Sequence, residues 1–179
     1  AWRDYAVQRA PDCVSLDCVL PCGGPMVQQY TYKGPIDEAR QEAQEWMAFG
    51  TAAVTDLKPR SYHHDMQRDL MKQIGGKLPM PHRWRVAILQ SMPDQVVEAL
   101  LRAVNQDRPN ADSLVHCERL GGKISESRAG CLAHRDGQFW ISMVGVYGTK
   151  GRRGRDDARV DAWLDGLAEA LRPHCLSLS

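Results

Sequence analysis

QFWISMVGVY, residues 138–147, is the most strand-prone run in the chain: aromatic and β-branched side chains fill it, with no proline and no charge. Working outward, residues 113–120 (SLVHCERL) read as the strand before it, ended by Gly121-Gly122. Residues 83–89 (RWRVAIL) alternate Arg83 and Arg85 with Trp84, Val86 and Ile88, as a half-buried strand does. Residues 12–20 (DCVSLDCVL) and 26–32 (MVQQYTY) supply two more strands, broken by Pro21, Gly23-Gly24 and Gly34-Pro35. A short strand is expected at 52–57. The stretch 58–81 is expected to be irregular around Pro59, Gly75-Gly76, Pro79 and Pro81, with a short helix within 62–71.

Helical periodicity appears in three places. Ile36, Ala39, Ala43, Trp46 and Met47 mark a helix over about 36–49. Val96, Val97, Leu100, Leu101 and Val104 mark one over about 93–105, opened by Pro93 and stopped before Pro109. Val160, Trp163, Leu164, Leu167, Ala168 and Leu171 mark the last, over about 156–171. The first residues, AWRDY, read like the middle of a helix. The expected order from residue 12 onward is ββαβ(α)βαββα. Because each helix carries one apolar stripe, all three should lie on one side of the strands. The fold class is therefore α+β, one domain over residues 1–179, with a largely antiparallel sheet and helices packed on one face.

The 179 residues match one domain in length and suffice to bury a core without metals or disulfides. The 23 Lys and Arg against 22 Asp and Glu leave a net charge of +1, which gives no general field to attract nucleic acid or acidic lipid. No apolar run approaches the roughly 20 residues needed to cross a bilayer, so a soluble chain with no membrane partner is expected. Its localisation is unknown. No dinucleotide or phosphate-loop glycine motif is present, and the paired glycines read as turns. The basic run 150–155 reads as a solvated loop before a helix whose first acids, Asp156 and Asp157, suit its dipole. Cys13, Cys18 and Cys22 form the one cysteine cluster, but the spacing is not that of a zinc site; small buried hydrophobes or one disulfide fit better, and no metal is expected. The His63-His64 pair points its rings apart in either regular structure.

The succession Glu118-Arg119-Leu120-Gly121-Gly122, then Cys131-Leu132-Ala133-His134-Arg135-Asp136-Gly137 and the strand to Tyr147, resembles the substrate domain of FAD-linked oxidases of the berberine-bridge-enzyme-like type. In that family an acidic residue, a Gly-Gly turn, an A-F-x-H-R segment and a strand follow in this order. The segments 12–20, 26–50, 84–104 and 159–173 resemble the family's remaining strands and helices, so the likeness covers nearly the whole chain. It implies a substrate-binding part of an FAD-dependent oxidoreductase that oxidises a small organic substrate by hydride transfer to flavin. It also implies a partner, an N-terminal FAD-binding domain, that these residues do not include; FAD belongs to the full-length protein and none is expected on this fragment alone, which should be inactive. Where the family strand carries a polar pocket residue, this chain has Ser142 or Met143; its closing aromatic corresponds to Tyr147, and a frequent Lys corresponds to Val86.

Leu114, His116 and Glu118 share one face of their strand. The resemblance places Glu118 at the family's acidic position, and with His116 it is the candidate catalytic pair, taking a proton while a hydride leaves. The other reading of the pair is a solvated strand face. Trp84, Ser142 and Tyr147 are the candidate substrate-binding residues, while His134-Arg135 reads as structural, Arg135 tying loop carbonyls together. From another class comes a free-standing binding or dimerisation module without catalytic activity. In either case the uncovered sheet face, with Trp84, His116, Glu118 and Trp140 or Ser142, is expected to support a homodimer when cut off from a partner.

Overall fold

The computed structural model describes residues 1–48, 50–51, 58–61, 80–126, 133–148 and 155–179. Its elements are α1 (Trp2–Gln8), β1 (Val14–Pro21), β2 (Val27–Tyr32), α2 (Ile36–Met47), β3 (His82–Leu89), α3 (Asp94–Asn105), β4 (Leu114–Arg119), the single turn α4 (Lys123–Glu126), β5 (Phe139–Val146), α5 (Arg155–Leu171) and β6 (Cys175–Leu178). The strands form one six-stranded sheet in the order β2-β1-β4-β5-β3-β6. Every neighbouring pair is antiparallel. The α+β class read from the sequence is thus borne out.

Alternation along the strands separates two faces. Val14, Leu16, Cys18 and Leu20 of β1, Val115 and Cys117 of β4, and Phe139, Ile141 and Met143 of β5 are buried on one of them. There they meet Val96, Leu100 and Val104 of α3 and Val160, Trp163, Leu164, Leu167 and Leu171 of α5. α1 joins this core through Trp2, whose ring centroid lies 5.9 Å from that of Phe139. α2 joins through Trp46, 5.3 Å from Tyr30, a residue on the same face as Leu16, which it opposes. Gly145 lets α5 approach: a Cβ there would stand 2.5 Å from Val160 Cγ1 and 2.9 Å from Leu164 Cδ1. The Gly121-Gly122 turn leaves β4 with φ +54° at Gly122, a backbone state that glycine enters without a Cβ clash.

Some expectations need correction. Leu101 is exposed and Ala103 takes its place in the buried stripe of α3, because the helix presents Val96, Leu100, Ala103 and Val104 to the core. On β3 it is Arg83 and Arg85 that share the helix-covered face with Ala87 and Leu89, where they pair with Asp161 and Asp165 of α5. Two elements were not anticipated: α1 as a complete helix, and the edge strand β6, which pairs with β3 through a bulge at Ile88/Leu89. The five described cysteines are free, so no disulfide joins any two of them. The strand expected at 52–57, the helix within 62–71, His63-His64, Cys131 and most of the basic run lie outside the described residues.

Candidate functional site

Among the described residues no helix packs on the second sheet face, and its residues are ordered by register. One row across β2, β1, β4, β5 and β3 reads Gln29, Asp17, Glu118, Trp140, Ile88; the next reads Val27, Val19, His116, Ser142, Val86. A third brings Leu114, Val144 and Trp84 into line. The structure therefore gathers Trp84, His116, Glu118 and Ser142 on one face, as the strand alternation predicts. Trp84 stands 54 % exposed at one side of this face and Val27 53 % exposed at the other.

The centre of this face is a polar cluster. Asp17 faces Glu118 directly across the β1–β4 pair, and His116 lies two residues along on the same side. One ligand-type atom from each of Asp17, His116 and Glu118 falls within 4.8 Å of the others. Burial pushes the Asp17 carboxyl up to about 6, the nearby Glu118 adding to the rise and His116 opposing it. Half-buried in the sheet, Asp17 thus holds its proton to higher pH than an ordinary carboxyl does. Next to them Trp140 Nε1 donates a 2.9 Å hydrogen bond to Ser142 Oγ, which fixes the indole over the buried hydroxyl. Asp17 was missed from the sequence. Its signal is only that it alternates with Leu16 and Cys18, and its importance arises from register with β4, which no local pattern reveals.

Tyr147 does not join the group. It packs against the helix-side core, and its hydroxyl donates a 2.8 Å hydrogen bond to Asp161 Oδ1 on α5. Arg135 donates to the Ile124 carbonyl at 2.9 Å, so it ties the loop before β5 to α4 in the structural role expected of it. Burial pushes the Cys18 thiol up to about 12 and Cys22 to about 11, and raises Cys117 as well, which disfavours the thiolate at these three. Two surface hollows among the described residues lie elsewhere, one along α3 at Glu98, Leu101 and Arg102, the other beside α1 at Val7, Arg119 and Gln138.

No family model matches the chain, and no curated protein sequence matches it. Solved structures do. Physcomitrella patens BBE-like 1 superposes with a TM-score of 0.73 at 13 % identity, covering 98 % of this chain and 40 % of that one. Berberine bridge enzyme from Eschscholzia californica gives 0.69 at 12 % identity, covering 97 % and 37 %. A Phl p 4 variant described as a glucose dehydrogenase gives 0.67 at 14 % identity, covering 97 % and 37 %. The chain spans about two fifths of the length of these proteins. Nearly all of it follows their course, so the likeness to berberine-bridge-enzyme-like proteins read from the sequence is borne out as a likeness of fold.

Proposed function

We propose that this chain is the substrate-binding part of an FAD-dependent oxidoreductase of the berberine-bridge-enzyme-like kind, and that its uncovered sheet face forms one wall of the reaction site. The observation that carries the reading is that face: a surface on which no described helix packs, with two carboxylates and an imidazole at its centre and large apolar residues around them. Such a face suits a flat, mixed polar and apolar group resting on it, and it lacks the phosphate-binding loop that would hold a dinucleotide. A flavin, bound by an N-terminal FAD-binding domain outside these residues, supplies the hydride acceptor. Glu118 takes the proton that a small organic substrate gives up as it is oxidised. His116 stabilises the resulting charge pattern, and Asp17 faces Glu118 across the strand pair. Trp84 and Trp140 exclude water along the wall, and Ser142 fixes Trp140.

Expressing the chain together with the coding sequence that adjoins it tests this. A yellow protein with about one flavin per chain is expected, whereas the chain alone stays colourless and inactive. Glu118→Gln in the longer protein should keep its flavin but slow flavin reduction by about 100-fold or more. A longer protein without flavin, or a Glu118→Gln variant reduced at the original rate, overturns the reading. The free-standing binding module is then the surviving alternative.

A further inference from the structure

Cys18 and Cys117 are partners in register across β1 and β4. Side chains directly opposite in an antiparallel pair leave the sheet on the same side, and both thiols are buried on the helix-covered face. Among the described residues no other two cysteines oppose each other: Cys13 bonds through its backbone to Lys33 and Cys22 to Ser113, and Cys175 stands opposite Leu89. Asp17 precedes Cys18, and Cys117 stands between His116 and Glu118, so the two thiols lie directly behind the polar cluster of the open face.

We infer that these two thiols are the halves of a cross-strand disulfide, which staples β1 to β4 when the chain folds in an oxidising medium; the structure shows the reduced form. Opposite residues of an antiparallel pair stand about 4.5–5.5 Å apart at Cα, within the roughly 4.4–6.8 Å that a disulfide spans. Closing the bond removes only two hydrogens, so a core that already encloses both sulfurs needs side-chain rotation and no new space. A disulfide oxidant such as oxidised glutathione supplies the chemistry. One cysteine thiolate attacks it and releases one glutathione thiolate. The other cysteine thiolate attacks the mixed disulfide, forms the Cys18–Cys117 bond and releases the second, and the two thiol protons end on the released glutathiones. Burial disfavours both thiolates once the sheet is packed, so the exchange belongs to the folding chain, and the finished bond is shielded from reductant.

The inference does not depend on the oxidoreductase reading, because it is read on this chain alone without flavin or substrate. Refolding the chain from denaturant in a mixture of reduced and oxidised glutathione, blocking the free thiols and mapping the peptides by fragmentation mass spectrometry is the test. A Cys18–Cys117 link with the mass of two hydrogens lost is expected in most of the chain, with Cys13, Cys22 and Cys175 blocked as free thiols. Because the bond closes a loop of about 100 residues, the oxidised chain should unfold at a urea concentration higher by about 1 M or more than the chain refolded in dithiothreitol. Cys117→Ala should abolish both the link and the shift, while Cys22→Ala leaves both; if Cys117→Ala does not fold, Cys18→Ala serves in its place. No link, a link between other cysteines, or a Cys18–Cys117 link that fails to raise the urea midpoint would each overturn the proposal.

Discussion

The two faces of one sheet differ in what completes them. On the covered face every row ends on helix side chains: Leu16, Val115, Ile141 and Ala87 are almost wholly buried, and even Arg83 and Arg85 find acids on α5. On the other face, Trp84 and Val27 remain half exposed, and Asp17, His116 and Glu118 gather within 4.8 Å of one another. The first face is finished by the chain's own sequence. In the function proposed above, the second is a reaction wall met by a module outside these residues.

If the contrast holds, substitutions on the two faces have effects of different kinds. The largest falls on the covered side. Phe139→Ala removes a fully buried ring that stacks near Trp2 and should cost about 3–5 kcal/mol in urea unfolding. A loss below about 1 kcal/mol would break the assignment of that face as core.

On the open face Trp84→Glu should change association instead of folding. The chain alone is expected to self-associate through this face at micromolar concentration, and the charge should weaken the dimer by about tenfold or more in sedimentation. A wild-type chain that stays monomeric would show that the face tolerates water.

A smaller effect belongs to Asp17. Its folded-state value of about 6 lies above the ordinary 3.8, so the folded protein binds this proton more tightly than the unfolded one. Stability due to this group is therefore greatest below pH ~4 and is lost as pH rises through about 6. Asp17→Asn should stabilise the protein at pH 7.5 by on the order of 1–2 kcal/mol and leave it unchanged at pH 3.5. A destabilised variant at pH 7.5 would mean that the carboxylate is paired, and the two faces would then be less different than they look.

How much of this was legible depended on range. The stripe of α5 was readable because six apolar residues at helical spacing all turn inward, and β4 because His116 and Glu118 alternate with Val115 and Cys117. β6 was not, since Cys-Leu-Ser-Leu is short, has no β-branched residue, and becomes a strand only by pairing with β3. The site was half readable for the same reason. Trp84, His116, Glu118 and Ser142 could be assigned to one face by alternation within strands, while Asp17 enters through the register of β1 on β4. Tyr147 stands apart from that group because a residue at a strand end has its side decided by which helix reaches it, here α5 through Asp161.

Hydroxyl-radical footprinting, read by mass spectrometry at submicromolar concentration, most directly tests whether the open face is completed by a second module. It would compare this chain alone with the longer protein produced from the adjoining coding sequence. In the longer protein Trp84 and Trp140 should lose most of their oxidation, while Leu101 and Val7, exposed on α3 and α1, should be oxidised as in the chain alone. Equal oxidation of Trp84 and Trp140 in both samples, or protection confined to Leu101 and Val7, would contradict the account.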